Sequence, residues 1–324
     1  MGTPAQAGRR ARQIKVRELH ILSTVVQAGS MAKAAVLLSM TQPTVSEAIA
    51  NLEALLQVRL LDRNSRGVEP TIYGQALLRR GRVVLDELGQ AVRDIEFLAD
   101  PAGGEVRIGC PEAFSAGLVP AIIERISRSH PQLAVHVVDA NTAFLEFRQL
   151  RERNVDLMLG RISRTLQDED LNVEILFEEP LYVVVGAQNK WARRRQVALA
   201  DLIGERWILA EPNHVVRSLM TDVFRAQGLD LPKNVITGSM HLRLHLLARG
   251  DFVTVLPETF LRYHSDRWPV KRLPIDLGRR LPVAVVTLKT RTLSPATQVF
   301  IAGAREIARS PMQGSNPSKL VRRD

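Results

Sequence analysis

The chain has 324 residues, 44 Lys+Arg against 34 Asp+Glu, a single Cys and a hydrophobic share of 45%. That length exceeds one compact core, and the composition is that of a globular protein with two or three domains. One cysteine excludes a disulfide scaffold and a cysteine-built metal site, no apolar run reaches the roughly 20 residues of a membrane span, and an excess of +10 favours a polyanionic partner.

The first 14 residues are basic and lack an apolar core, so they are expected to form a flexible extension rather than a secretory signal. Positive charge is concentrated at the front. Residues 1–82 hold 12 Lys+Arg and five Asp+Glu, whereas residues 99–324 hold 31 and 25. Such a front fits attraction to a phosphate backbone; a solvated face is the alternative.

Leu19, Leu22, Val25 and Val26 recur at helical spacing and predict a first amphipathic helix ending near Ala28-Gly29. Ser30 is placed to cap a short second helix whose Ala34, Ala35, Leu37 and Leu38 supply a packing face. A third helix follows Thr41, and its Val45, Ile49, Leu52 and Leu56 share one stripe. The opposite face carries Pro43, Ser46, Glu47, Ala50 and Ala54, read as a short-sided surface of the kind that close approach to a groove wall requires. With Thr41 as N-cap, the first turn of Gln42, Pro43 and Thr44 keeps free N–H groups, which favour a phosphate. Two short helices and an exposed third make a helix-turn-helix with the third as reader. Residues 63–68, RNSRGV, then read as a wing hairpin with two arginines for phosphates.

The runs GSMAKAA at 29–35, QPTVS at 42–46, Ile49, Leu52-Glu53, LLDR at 60–63 and TIYG at 71–74 resemble those of the LysR-type transcriptional regulators. The resemblance implies DNA contacts from Ser30, Ala32 and Lys33, from Gln42, Pro43, Thr44, Ser46 and Glu47, and from Arg63, Ser65 and Arg66. Two positions depart from the family pattern. Leu61 stands where Phe is usual, and Glu47 where many relatives carry a basic residue. Glu47 either accepts a hydrogen bond from a cytosine amino group or forms an intrahelical or cap interaction with Thr44.

From Ile72 to Leu98 no proline intervenes, and Leu77, Gly81, Val84, Leu88, Ala91, Ile95 and Leu98 alternate steps of four and three. This is a heptad seam, expected to pair with a second copy, with packing against the same chain's first helices as the alternative. Asp100-Pro101-Ala102-Gly103-Gly104 marks a hinge.

Beyond Glu105, short β-rich runs alternate with helical stretches, which predicts α/β layers with mostly parallel sheets. The resemblance implies a two-lobed domain like a type 2 periplasmic-binding protein. The expected organisation is therefore a winged helix-turn-helix over 15–73, a linker helix and hinge over 74–103, and an effector-binding domain over 104–310. Lobe I is expected at 104–178 plus 283–310, lobe II at 179–282, and a disordered tail at 311–324.

Ligands in such layers sit beyond the carboxyl ends of strands. The loops there offer Pro111, Glu112, Phe114, Ser115, Asn141, Thr142, Asn213, His214, Val215 and Ser239, which suit a small carboxylate or sugar effector. Cys110 is either a redox sensor or a buried small residue. His241 and His245 lie one helical turn apart, but no third metal ligand is evident, so no metal is assigned. Nor is any cofactor, because G-x-S-x-G, H-E-x-x-H and glycine-rich phosphate motifs are missing. Glu178-Glu179 reads as a solvated pair at a strand edge. The reading is a cytoplasmic, non-catalytic regulator of promoter DNA. The resemblance adds a homodimer or dimer-of-dimers that contacts RNA polymerase. The other class is a ligand-binding or catalytic α/β protein with an incidental basic front.

Overall fold

A computed structural model describes residues 4–64, 67–100, 103–140, 147–163, 168–212, 214–232, 234–264 and 268–309. They fall into two compact units, divided between Ile95 and Glu96.

In the first unit, helix α1 (Pro4–Gln13) replaces the expected flexible extension, and Arg10 ties it to α4 (Gln42–Leu56) by a 2.8 Å hydrogen bond to Gln57 Oε1. Helices α2 (Val16–Ala28), α3 (Met31–Leu37) and α4 enclose a core of Leu22, Val25, Ala34, Val45, Ile49 and Leu52. Ser30 stands at the N-cap of α3, but its side chain makes no capping bond. Thr41 does cap α4, accepting from the Thr44 N–H at 3.4 Å.

The wing is a hairpin of β1 (Leu61–Asn64) and β2 (Gly67–Pro70), with Arg63 opposite Val68. Its position follows from three contacts. Glu53 Oε1, from α4, accepts the N–H groups of Leu60 at 2.7 Å and Leu61 at 3.2 Å. Val68 donates to the carbonyl of Gly29 at 3.0 Å, so close that a Cβ on Gly67 would lie 2.6 Å from that oxygen. Thr71 hydroxyl donates to Arg59 O and accepts from Gly74 N, while a Cβ on Gly74 would meet Leu60 O at 2.1 Å. Gly67 is also held at φ +131°, which glycine alone adopts without strain.

Helix α5 (Ile72–Ala99) is about 40 Å long. Its first turns pack on their own chain: Leu78 and Gly81 are buried, the latter against Leu19. From Val84 outward the seam is uncovered, with Leu88, Ile95 and Leu98 rising from 47% to 75% exposure and the neighbouring Val92 at 55%. The alternative reading thus holds for the start of the seam and fails for the rest. Pro101 and Ala102 of the expected hinge lie outside the described residues.

The second unit is built on one nine-stranded sheet among the described residues. Its strands are β3 (Glu105–Cys110), β4 (Ala134–Asp139), β5 (Leu157–Arg161), β6 (Leu171–Gly186), β7 (Arg206–Leu209), β8 (Val235–Ile236), β9 (Phe252–Pro257), β10 (Val270–Arg272) and β11 (Arg280–Leu288). The order is β4-β3-β5-β11-β6-β9-β7-β8, with β10 also on β6. Parallel pairs (β3/β4, β3/β5, β7/β8, β7/β9) lie toward the edges, but the centre is antiparallel. The expectation of mostly parallel sheets is corrected accordingly.

The central feature is β6. Leu171–Pro180 pairs with β11, and Leu181–Val185 pairs with β9, so one strand passes from the first lobe into the second. Lobe I is covered by α6 (Glu112–Ser115), α7 (Leu118–Ser127), α8 (Arg148–Arg151) and α12 (Pro295–Arg309), burying Ile108, Phe114, Ile122 and Phe300 on one face. Lobe II carries α9 (Val215–Ala226), α10 (Met240–Ala248) and α11 (Glu258–His264). Its core stacks Trp207 edge-on to Phe224 at 5.5 Å. The Trp207 indole N–H is satisfied by Leu202 O at 2.8 Å, as a buried donor requires.

Candidate nucleic-acid interface and effector cleft

In the first unit the predicted DNA residues gather on the exposed side of α3, α4 and the wing. Ala32, Lys33, Gln42, Pro43, Thr44, Glu47 and Arg63 are exposed, and Ser30 and Ser46 are half-buried. Ser65 and Arg66 lie outside the described residues. Behind this surface Val45, Ile49 and Leu52 are fully buried, so α4 cannot roll without opening the core. The Thr44 hydroxyl bonds the Thr41 hydroxyl at 2.8 Å. Glu47 makes no such cap contact and has no ion pair among the described residues. What this surface offers is a helix N-terminus with mostly compact polar side chains and one carboxylate, Glu47.

In the second unit a cleft of about 490 Å³ opens between the lobes. Lobe I contributes Pro111, Glu112, Phe114, Asp139 and Arg161 to its lining, and lobe II contributes Glu211, His214, Val215, Ser239 and Arg243. Six of the predicted residues therefore converge there: Pro111, Glu112, Phe114, His214, Val215 and Ser239. Ser115 does not. Its hydroxyl turns back to donate to Glu112 O at 3.0 Å. Asn141, Thr142 and Asn213 lie outside the described residues.

Several side chains are already engaged. Glu112, expected to face a ligand, accepts the α10 N–H groups of Met240 at 2.7 Å and His241 at 3.2 Å. Phe114 is 1% exposed, with its ring under the Arg161 guanidinium at 4.5 Å. His214 caps α9, its Nδ1 accepting from Val216 N at 3.1 Å. Burial, then the positive charges of Arg161 and Arg243, push its pKa down to about 4, so the ring is neutral near pH 7.

Two arginines complete the cleft and were not singled out from the sequence. Arg161 pairs with Glu179 at 2.6 Å, and both are buried. Glu179 is thus no solvated edge charge. The expectation failed because β6 continues through Pro180 and buries the carboxylate at the lobe crossing. Arg243 is 6% exposed and, among the described residues, donates only to carbonyls, Thr237 O at 3.0 Å and Val255 O at 3.4 Å. Its Nε has no acceptor among the described residues. Burial pushes its pKa down to about 10, still protonated near neutrality, with Glu112 opposing the shift. A signal for it existed: Arg243 shares a helical stripe with the buried Met240, Leu244 and Leu247, and a cation on a buried stripe requires an explanation.

Cys110 is buried, and its thiol is pushed up to about 12 by burial and then by Asp139. His241 and His245 bring their Nε2 atoms to 3.0 Å, but no cluster of three metal-ligating residues occurs among the described residues. No helix among them is long and apolar enough to cross a membrane.

Comparison with known proteins agrees with both halves. Residues 16–75 match the family model "Bacterial regulatory helix-turn-helix protein, lysR family", and residues 99–309 match "LysR substrate binding domain". The chain is 29% identical over 304 residues to the HTH-type transcriptional regulator GbpR of Azospirillum brasilense, covering 93% of this chain and 89% of GbpR. A full-length OxyR variant from Pseudomonas aeruginosa shares the fold with a TM-score of 0.66 at 21% identity, over 91% of this chain and 95% of that one. Full-length CbnR, crystallised with its target DNA, shares it with a TM-score of 0.53 at 22% identity, over 91% and 100%. The chain belongs to the LysR family: it is a DNA-binding transcriptional regulator with a helix-turn-helix at the front and an effector-binding domain behind.

Proposed function

We propose that this regulator reads promoter DNA through the outward face of α4 and answers to a small anionic effector bound between its lobes. Gln42, Pro43, Thr44, Ser46 and Glu47 enter the major groove, Ser30, Ala32 and Lys33 hold the flanking backbone, and Arg63, Ser65 and Arg66 touch phosphates from the wing. Glu47 accepts from a cytosine amino group. The exposed stripe of α5 pairs with a second copy, which supplies two readers for a two-fold operator. The lobes lie at 104–178 plus 283–310 and at 179–282. Effector binding changes the geometry of the dimer or dimer of dimers on DNA and its contact with RNA polymerase, in the cytoplasm and without turnover of the ligand.

The observation that carries the DNA reading is the pairing of an exposed, short-sided α4 surface with a fully buried opposite stripe. The anionic class of effector rests on Arg243, a buried cation in the cleft wall whose hydrogen bonds among the described residues go only to carbonyl oxygens. CbnR, whose structure contains its target DNA, has the same fold, which supports the first half.

Selection from a randomised duplex library tests it. The full-length protein is expected to enrich a two-fold-related sequence. Ala50→Trp, which adds bulk to an exposed position of α4, should abolish enrichment without lowering thermal stability. Equal enrichment by that variant overturns the reading.

A further inference from the structure

Helix α10 begins with three backbone N–H groups that have no partner within the helix. Leu242 donates to Ser239 Oγ at 3.2 Å, a cap from its own lobe. The other two are satisfied from lobe I. Glu112 Oε2 lies 2.7 Å from Met240 N, and Oε1 lies 3.2 Å from His241 N. One carboxylate, 128 residues earlier in the chain, is therefore gripped by both amides. On the same helix Arg243 is buried, lines the same cleft, and among the described residues hydrogen-bonds only to carbonyl oxygens. The positive end of α10 and this guanidinium together make an anion receptor, and the protein's own Glu112 occupies it.

We propose that Glu112 is an internal competitor for the effector: it latches lobe I to α10, and an anionic group of the effector binds by taking its place. This rests on the interlobe cleft being the effector site, and it adds how occupancy is converted into movement. A ligand shifts a conformational equilibrium only if it binds two arrangements unequally. A carboxylate tethered to lobe I holds the lobes together, whereas a free one fills the same receptor without the tether. Latched and liganded states exclude each other, which gives the inequality directly. The latch also lowers apparent effector affinity by the fraction of molecules that are latched.

The test uses the full-length protein, with acetate as the probe and chloride at matched ionic strength as the control. Glu112→Ala should speed amide exchange at Met240 and His241 by about tenfold, because a charge-assisted bond to each is lost. Exchange at Leu242, capped by Ser239, should not change. About 50 mM acetate should then restore slow exchange and raise the melting temperature of the variant, and do neither for the wild type. Glu112→Gln, which preserves the side-chain volume, should show a smaller acceleration in the same direction. Unchanged exchange at both amides in either variant overturns the latch. So does a wild-type protein whose melting temperature rises with 50 mM acetate as much as that of Glu112→Ala, although an anionic cleft would survive that result. Loss of the acetate response in Glu112→Ala/Arg243→Met supports the shared receptor. If acetate protects neither variant nor wild type, the anion receptor itself is refuted.

Discussion

Arg161 Nε lies 2.7 Å from Glu179 Oε2, and the other oxygen of that carboxylate accepts the backbone N–H of Thr259 at 2.8 Å and its hydroxyl as well. The three residues come from β5 of lobe I, the crossing strand β6 and helix α11 of lobe II. The ion pair therefore sits where the chain passes between lobes, with Arg161 and Glu179 at 5% and 1% exposure. Glu179→Ala leaves a buried guanidinium without its counter-charge and should lower unfolding free energy by about 3–5 kcal/mol. Replacing both with apolar residues of similar size (Arg161→Met with Glu179→Leu) should lower it by much less. Urea denaturation of the two variants checks this, and equal losses would contradict it.

His214 gives the protein a defined pH dependence. Its folded pKa of about 4 lies below the ordinary histidine value of 6.5, so the native state favours the neutral ring. That contribution is present in full above about pH 6.5 and is lost as pH falls through the folded value near 4. The urea midpoint should drop across this window, and His214→Asn should flatten the drop. A ring that titrates near 6.5 by NMR would contradict the burial argument.

Cys110 should be inert. Its thiol is raised to about 12, so the reactive thiolate is scarce at pH 8, and a chain with one cysteine cannot form an internal disulfide. The folded protein should resist an aromatic disulfide reagent for hours and react once unfolded. Rapid modification in the folded state would revive the redox-sensor reading.

The uncovered side of α5 makes a separate prediction. Val84, Leu88, Val92 and Ile95 are 43% to 67% exposed and recur by three and four. An apolar stripe of this kind is unfavourable in water unless a partner covers it. Leu88→Glu with Ile95→Glu should shift the sedimenting species to the monomer while leaving the far-UV circular dichroism unchanged. A wild-type protein that is monomeric at micromolar concentration would contradict the pairing.

How much of this was legible depended on how local the signal was. The reader helix was, because its buried stripe and its cap lie within 15 residues. So were the wing and the strand-end loops, where Pro111, Glu112, His214, Val215 and Ser239 meet as expected. Glu179 was misread because its burial depends on Arg161 and Thr259, 18 and 80 residues away. The antiparallel centre was missed for a similar reason: β11 joins β5 and β6 from 100 or more residues downstream of their paired positions. Glu112 was found but given a ligand to accept from, when a helix in the other lobe already supplies its donors. Helix α1 was missed because its sequence is strongly polar and basic and carries no large apolar residue.

Side-chain protection of α4 by bound DNA bears most directly on how this regulator reads its promoter. With the selected duplex held at saturation, oxidative labelling of the full-length protein should show Gln42, Pro43 and Thr44 shielded, while Leu37 at the far end of α3 keeps its 70% exposure. A tightly held duplex that leaves the first turn of α4 as accessible as in the free protein would contradict this mode of recognition.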